Sequence, residues 1–208
     1  LLAGTTAAAA VAAAAALAWA ARLHPGWPQR LAKRIAGLGY AVPGSVIAVG
    51  TLVPLGLLDN AVDGWVRARF GVSTGLQRAG GAAALVFAYL VRFLAVALSA
   101  VESGLGRIRP SLRDAARVLG SPVGAAVRRV EMPLAGPALL TAGLLVFVDT
   151  MKELPATLIV RPFDFDTLAV RVHSLAADER LAEASTAALL IVVTGLLPVM
   201  ALARAMRR

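Results

Sequence analysis

The sequence predicts an all-α membrane protein, a polytopic bundle of about five transmembrane helices with a pair of short helices on one loop. Three observations support this fold class. The 208 residues are 59% hydrophobic, with a mean hydropathy of +0.76. Charged residues make up 16% of the chain, against about 25% in soluble domains. The charges fall between apolar windows of about 20 residues, the length needed to cross a bilayer core.

The charge distribution and the cysteine count argue against several classes of protein. A net charge of +9 would suit nucleic-acid binding, but the basic residues lie between apolar windows instead of along one helix face. The chain contains no cysteine, which excludes a disulfide framework and thiolate metal ligands. The apolar windows therefore indicate the class, which is a membrane protein.

The first two apolar windows cover residues 2–21 and 41–58. The first is almost uninterrupted alanine, leucine and valine and ends near Trp19, a residue type that anchors helices at membrane surfaces. A soluble alanine-rich helix is the alternative for this window. The second contains Pro54 and several glycines. A transmembrane helix tolerates such residues because neighbouring helices can satisfy the backbone groups that they leave unpaired. Residues 22–40 carry four basic residues and no acid, the composition of a short cytoplasmic loop.

A third window at residues 79–100 contains a charged residue. Arg92 at the centre of a span would cost about 2.5–3.5 kcal/mol on insertion scales, so it should face the bundle interior or water. Asp149 in the fourth span is a conceivable partner, although helical rise separates the two in depth by about 10 Å. The preceding residues 59–78 are polar, and we expect a short amphipathic helix at residues 65–70 on the outer surface.

The polar segment at residues 111–133 predicts two short amphipathic helices. Ser111 and Asp114 have the S-x-x-D spacing of a capping box, which predicts a helix start. Gly120 can adopt the left-handed conformation that ends a helix. Ser121 and Pro122 are typical of the start of the second helix, and Pro133 should end it. Each helix has one apolar stripe, formed by Leu112, Ala115, Ala116 and Leu119 in the first and by Val123, Ala126, Val127 and Val130 in the second.

These two helices are too short to be stable alone. Isolated helices of fewer than about 12–15 residues are marginal in water, so the two stripes need a partner that covers them. The periodicity leaves open whether that partner is the membrane bundle itself or another protein.

The fourth span, residues 134–151, runs into a predicted helix break at Pro155. Proline removes a backbone donor and clashes with the preceding turn, so we expect irregular backbone at residues 152–157. Irregular backbone at membrane depth occurs where it is buried in protein or lines a cavity. A charged cluster at the outer headgroup level is the alternative. We hypothesise that a translocation path passes the residues at this break, Asp149, Lys152, Glu153 and Pro155, together with Arg92 of the third span.

The distribution of basic residues predicts the orientation. A last span at residues 184–203 follows a polar segment, residues 159–183, that alternation places outside. With the helix pair inside, that side receives 13 Lys and Arg residues and the opposite side seven. The positive-inside rule therefore predicts five spans, an outer amino end and a cytoplasmic carboxyl end.

The sequence contains no catalytic motif of the usual kinds. It lacks the G-x-x-x-x-G-K-[ST] phosphate loop, and it lacks zinc-protease, nucleophile-elbow and His/Asp/Ser patterns. His173 has no second histidine or cysteine at ligand spacing, so no metal residues are assigned. We expect a subunit that is not an enzyme and has no cofactor of its own.

The helix-pair segment resembles the cytoplasmic EAA loop of permease subunits in bacterial ATP-binding cassette importers. Seven residues occupy the motif positions: Asp114, Ala115, Ala116, Gly120, Val130, Met132 and Pro133. Asp replaces the usual Glu, Val replaces Ile and Met replaces Leu. The resemblance implies that this coupling loop docks on a separate subunit, which binds ATP and Mg. The residues expected to make that contact are Asp114, Ala115, Ala116, Leu119, Gly120, Val127, Val130 and Pro133.

Two other stretches extend the resemblance to most of the chain. They read Y-A-V-P-G-S-V-I-A-V-G at 40–50, and M-K-E-L-P-A-T-L-I-V-R-P with F-D-T-L-A-V-R-V at 151–172. Together they resemble the carboxy-terminal half of an iron(III) importer permease, which has the type I importer fold and two fused six-span halves. Five spans and a start at Leu1 predict a single domain, residues 1–208, that is incomplete at its amino end.

The resemblance implies an inner-membrane permease subunit. It would move ferric iron delivered by an extracytoplasmic binding protein and would work with a second permease half. Relatives that carry thiamine, polyamines, phosphonates or sulfate share much of the pattern, so the cargo stays open. Two other interpretations remain: a structural membrane protein, which would not co-purify with an ATPase, and a basic nucleic-acid-binding protein, which would not partition into detergent micelles.

Overall fold

The computed structural model describes residues 1–73, 81–162 and 165–205, and this part of the chain is helical throughout apart from its connections. The all-α prediction is therefore confirmed. The α-helices are α1 (Leu2–Leu23), α2 (Trp27–Leu38), α3 (Gly44–Phe70), α4 (Ala82–Gly106), α5 (Pro110–Val118), α6 (Val123–Ala126), α7 (Met132–Met151), α8 (Pro155–Val160), α9 (Leu168–Ala177) and α10 (Leu181–Ala205). A π-helical turn, Val127–Glu131, joins α6 to α7.

Five helices of the described part are long and apolar enough to cross a membrane, which confirms the predicted number of spans. They are α1, α3, α4, α10 and the continuous helix Val123–Met151. The third span was predicted to begin at residue 79. Residues 79 and 80 lie outside the described residues, and the helix is described from Ala82.

Small residues let the central helices approach closely. Helices α1, α4 and α7 pack against one another. Ala14, Ala97 and Ala142, one from each of these helices, are fully buried. A Cβ atom added to Gly104 would overlap the Cβ of Ala138 in α7. Close packing of small side chains is the usual basis of helix association in membranes.

The prediction of a simple loop at residues 22–40 is wrong, because most of this segment is helix α2. Helix α2 runs antiparallel to α4. Lys33 pairs with Glu102, whereas a Cβ on Gly39 would overlap the backbone carbonyl of Val91. Eleven residues of α4 separate those contacts, which corresponds to about 16 Å of helix. The connection between the first two spans therefore extends along α4 and does not remain at one end of the bundle.

Helix α3 is longer than the predicted span at residues 41–58. It continues through Pro54 to Phe70, so residues 59–70 form its last turns instead of a loop with a separate helix at 65–70. Gly71 ends α3 in the left-handed conformation, with φ of 70°. Residues 74–78 of the predicted polar segment lie outside the described residues.

The end of α5 follows the prediction, but its start does not. The N-cap is Arg109 and no side chain caps the helix, so the predicted capping box of Ser111 and Asp114 is absent; Pro110 begins the helix instead. Gly120 has φ of 88°. Ser121 N donates to Ala116 O and Gly120 N to Arg117 O, each at 3.0 Å. These two bonds form a Schellman motif, which satisfies carbonyls at the helix end.

The prediction that Pro133 ends the second short helix is wrong. The helix that starts at Val123 continues through the π turn into α7, and it starts one residue later than the Ser121–Pro122 signal predicted. Proline cannot donate a hydrogen bond to the fourth residue before it and crowds that carbonyl. The wide π turn, which ends two residues before Pro133, accommodates this defect, so the chain remains helical.

The predicted break after the fourth span is confirmed at residues 152–154, whereas residues 155–157, which were also expected to be irregular, are helical. Helix α7 ends at Met151, and Pro155 is the first residue of α8. The segment predicted as polar loop at residues 159–183 also contains α9, which Thr167 caps by accepting a hydrogen bond from Val170 N at 3.3 Å.

Candidate functional site

An exposed helical corner projects from one end of the bundle, and we call residues 114–123 the elbow. Val118 and Leu119 lie at its tip with 88% and 86% of their surfaces exposed. No residue of α5 is buried. A groove at the elbow is lined by Asp114, Arg117, Val118, Gly120, Ser121, Pro122 and Val123. Large aliphatic side chains that are exposed on such a corner are suited to burial against another protein.

The residues predicted to contact an ATPase do not all share the exposure of the elbow tip. Asp114, Ala115, Leu119, Gly120 and Pro133 are exposed. Ala116, Val127 and Val130 are half-buried, because the second helix packs its stripe partly on α5 and on the start of α7.

A buried ionic cluster lies between the elbow and the bundle, and we call Trp19, Arg22, Arg113 and Glu131 the Glu131 cluster. The Glu131 side chain is 0% exposed. Trp19 Nε1 donates to Glu131 Oε2 at 2.9 Å. Glu131 Oε1 lies 3.3 Å from Arg22 Nε and 3.5 Å from Arg113 Nη1. One carboxylate therefore joins α1, α5 and the π turn, which are distant in sequence.

Arg22 also holds the end of α4. Its Nη1 and Nη2 atoms donate to the backbone oxygens of Leu105 and Ile108, each at 2.5 Å. The Leu105 carbonyl lies in the last turn of α4 and the Ile108 carbonyl just beyond it, where the helix end carries partial negative charge. Arg22 thus joins α1 to the end of α4 that leads into α5.

A second polar cluster lies farther along α4, and we call Tyr89, Arg92, Glu153 and Thr157 the Glu153 cluster. Arg92 Nε lies 3.2 Å from Glu153 Oε2, and Arg92 Nη1 donates to Val42 O at 2.9 Å. Glu153 Oε1 accepts a bond from Ala156 N at 3.2 Å, so the carboxylate also caps the first turn of α8. Arg92 and the carbonyl of Leu105 are 13 residues apart, which places the two clusters about 20 Å apart along α4.

The suggested pairing of Arg92 with Asp149 is wrong. Asp149 Oδ1 instead pairs with Lys152 Nζ at 2.8 Å, one helical turn away. This hydrogen bond to the Asp149 carboxylate raises the pKa of Lys152 above its ordinary value. Arg92 reaches Glu153 because the helix break returns the chain towards α4.

The structure brings together the five residues hypothesised to line a path, but their surroundings differ. Glu153 is buried and Arg92 is 20% exposed, whereas the Lys152 side chain is 64% exposed. Pro155 is exposed and Asp149 half-buried. Among the described residues, no group of three His, Asp or Glu side chains could hold a metal ion.

Sequence reasoning missed the Glu131 cluster. Glu131 follows Val127 by four residues, so it lies on the apolar stripe of the second helix, and this position was a signal of burial. Nothing local identifies its partner Trp19, which is 112 residues away in the chain. Tyr89, Thr157 and the Val42 carbonyl were missed for the same reason.

The chain was compared with a family model and with individual proteins. A family model described as "Binding-protein-dependent transport system inner membrane component" matches residues 9–208. An Fe(3+)-transport system permease protein of Haemophilus influenzae is 29% identical over 115 residues, 55% of this chain and 23% of that protein. A putative 2-aminoethylphosphonate transport system permease protein of Salmonella typhimurium is 31% identical over 133 residues, 64% of this chain and 50% of that protein. The matched region thus spans half or less of these two relatives.

Proposed function

The chain belongs to the family of binding-protein-dependent transport system inner membrane components, and from this premise we propose that it is a membrane-spanning permease subunit of an ATP-driven importer. The elbow is its contact with a separate ATP-hydrolysing subunit, which supplies the ATP and Mg sites. The elbow and the carboxyl end are cytoplasmic, and a binding protein delivers the cargo from the other side. A second permease half completes the pathway.

The exposed tip of the elbow is the observation that carries this proposal. Val118 and Leu119 are the most exposed large apolar side chains of the chain after the terminal Leu1 among the described residues. They lie at the end of the bundle rich in arginine, which the positive-inside rule assigns to the cytoplasm. Covering them removes apolar surface from water at about 25 cal/mol per Å². The Schellman turn at Gly120 fixes the angle at which they are presented.

Single cysteines test the contact directly, because the chain has no cysteine of its own. In a complex purified with its ATPase, Leu119→Cys should cross-link to that subunit through a short bifunctional reagent. Leu181→Cys is the matched control, since Leu181 is also well exposed, at 68%, but begins α10 away from the elbow. Cross-linking from Leu181 and not from Leu119, or failure of any ATPase to co-purify, would contradict the proposal and favour a structural membrane protein.

A second test changes the backbone of the elbow. Gly120→Asp puts a charged side chain and a Cβ atom at a left-handed position, so we expect normal membrane insertion but loss of transport and of substrate-stimulated ATP hydrolysis. Gly71→Asp is the control, because Gly71 also has positive φ with nothing within 4 Å of an added Cβ but ends α3. Equal effects of the two substitutions would assign the loss to backbone strain alone.

We propose ferric iron as the cargo. The K-E-L-P-A-T-L-I-V-R-P stretch and the similarity to the Haemophilus Fe(3+)-transport permease support it. The longer match to the Salmonella protein makes 2-aminoethylphosphonate the second candidate. Vesicles containing the complex and its binding protein should accumulate radioactive iron(III) on addition of ATP. Accumulation of labelled 2-aminoethylphosphonate without iron would reverse the assignment.

We also propose that the residues around the α7–α8 break lie beside the translocation path. The exposed Lys152 side chain, next to the buried Glu153 and a broken helix, supports this. Cysteines at Lys152 and Pro155 should react with a membrane-impermeant thiol reagent, and cargo should slow that reaction. Labelling only by lipid-soluble reagents would contradict a position on the path.

A further inference from the structure

We propose that Glu131 is the positioning residue that attaches α5 to the membrane helices, and that its contact with Arg113 is the joint through which movement of α5 reaches the bundle. This inference rests on the proposed function of the elbow and names the side chains that transmit force from it.

Helix α5 has little apolar attachment of its own. None of its residues is buried, and it packs mainly on α6 and the π turn. Its apolar tip points away from the bundle. Besides the backbone at its two ends, the ion pair between Arg113 and Glu131 is therefore its principal link to the spans.

The two oxygens of Glu131 have different partners. Oε2 accepts a formed hydrogen bond from Trp19, which fixes the carboxylate on α1. Oε1 is buried and lies near two guanidinium groups, but neither contact has the geometry of a hydrogen bond. The side towards the arginines is thus the looser side, where a small displacement can strengthen or release an ion pair.

The two arginines also differ in how firmly they are held. Arg22 is bound to two backbone carbonyls at the end of α4, so it moves with α1 and α4. Arg113 belongs to α5, and its other ionic neighbour is Asp114 on the same helix, at 4.0 Å. A shift of α5 therefore changes the Arg113 contact while the Arg22 contact stays in place.

Glu131 is the last residue of the π turn that leads into α7. The turn spans Val127–Glu131 and precedes Pro133 in one continuous helix. Such turns add a residue to one helical turn and are frequent at functional sites. Because Glu131 is the last residue of this turn, its carboxylate is rigidly connected to the fourth span and transmits displacement along α7.

Charge removal without loss of shape tests the joint. Glu131→Gln keeps an oxygen that can accept from Trp19 but loses the attraction to both arginines. Arg113→Gln removes the α5 partner alone. In the complex with its ATPase and binding protein, each variant should assemble and hydrolyse ATP. The amount of cargo moved per ATP should fall by about tenfold, the factor that equals about 1.4 kcal/mol of lost coupling.

Two further variants separate a joint from a general structural role. The double variant Arg113→Gln/Glu131→Gln should be no worse than Glu131→Gln alone, because that single variant already removes the ion pair with Arg113. Arg113→Lys should restore part of the lost coupling, since it keeps the charge. Arg109→Gln is the control: Arg109 is exposed at the N-cap of the same helix, and its loss should leave the transport ratio unchanged.

The outcomes distinguish this inference from the proposed function. If the wild-type complex transports cargo and both single variants keep its ratio of cargo to ATP, the joint is refuted and the importer function stands. Failure of Arg113→Gln to assemble would also refute it, by assigning the contact to folding. If no ATPase joins the wild-type chain, the proposed function itself fails.

Discussion

Arg92 and Glu153 form an ion pair, with 3.2 Å between Nε and Oε2, in the interior of a membrane helix bundle. The Arg92 guanidinium also holds the carbonyl of Val42. An added Cβ on Gly44 would lie 2.5 Å from Glu153 Oε1 and 3.1 Å from Arg92 Nη1. The pair therefore fastens the start of α3 and the α7–α8 break to α4, and the glycine makes room for it.

Breaking this pair should destabilise the protein more than removing both charges. A largely buried charge without its partner costs about 3–5 kcal/mol. Since Arg92 is 20% exposed, we expect Arg92→Met and Glu153→Gln each to lower the free energy of unfolding by about 2–3 kcal/mol. The double variant should lose less than the sum of the two. Thermal unfolding of the detergent-solubilised protein measures all three.

The exposed pair one turn earlier provides the control for that cycle. Lys152 is 64% exposed in its pair with Asp149, and exposed ion pairs contribute only about 0–1 kcal/mol. Lys152→Met should therefore change the unfolding temperature little. Strictly additive losses in the Arg92 and Glu153 cycle would show that the two side chains do not interact.

The contact between Gly104 and Ala138 should limit the size of both residues. Gly104→Ala would overlap the Ala138 methyl group and separate α4 from α7, at a cost of about 1–3 kcal/mol. The exchange Gly104→Ala/Ala138→Gly should recover most of this loss, because one methyl group is again present at the contact. Thermal unfolding measures the three variants.

Gly106 provides the matched control for this contact. It lies two residues farther along α4, and nothing is within 4 Å of its added Cβ. Gly106→Ala should be neutral or stabilising, since alanine favours a helix by about 1 kcal/mol over glycine. If the exchange variant were no more stable than Gly104→Ala, the overlap would not be the cause of the loss.

The elements predicted correctly are those encoded locally. Each span needs only about 20 apolar neighbours in sequence, and the break after Met151 needs only Pro155. Gly120 was identified as a helix end for the same reason, since one residue type suits one backbone conformation. The local signal at Pro133 failed. This proline was expected to end a helix, but the π turn before it allows the chain to remain helical.

The polar clusters could not be predicted because their contacts are long-range. Arg92 was correctly expected to require a partner, but the depth of each residue along its helix did not identify that partner. The chain turns back towards α4 after the break, and this brings Glu153 to Arg92.

Helix α2 had a visible signal in the sequence. Trp27, Leu31, Ile35 and Leu38 repeat at helical spacing, but their exposed fractions of 70%, 47%, 61% and 62% show that this stripe faces away from the bundle, as expected of a surface that meets lipid.

Gly39 should be intolerant of any side chain. Its added Cβ would meet the backbone oxygen of Val91, which cannot rotate away as a side chain can. Gly39→Ala should therefore force α2 from α4 and cost about 3 kcal/mol. Gly37→Ala in the same helix, with nothing within 4 Å of the added Cβ, should be neutral or stabilising. Equal unfolding temperatures for the two variants would show that α2 does not lie against α4.

The hydroxyl groups of Tyr89 and Thr157 provide a test of hydrogen-bond direction. Thr157 Oγ1 donates to Glu153 O at 2.6 Å and lies 2.5 Å from Tyr89 Oη. A threonine hydroxyl has one hydrogen. Because that hydrogen is used by the Glu153 carbonyl, the Tyr89 O–H must be the donor in the second contact.

This direction predicts unequal effects of the two deletions. Tyr89→Phe removes a donor and leaves Thr157 its bond to Glu153, so the expected loss is about 1 kcal/mol. Thr157→Val leaves the tyrosine O–H unpaired at a site with 0% exposure, which should cost about 2–3 kcal/mol. Tyr89→Phe/Thr157→Val should be more stable than Thr157→Val alone, because no donor is then stranded. Thermal unfolding provides the comparison, and a larger loss for Tyr89→Phe than for Thr157→Val would reverse the assigned direction.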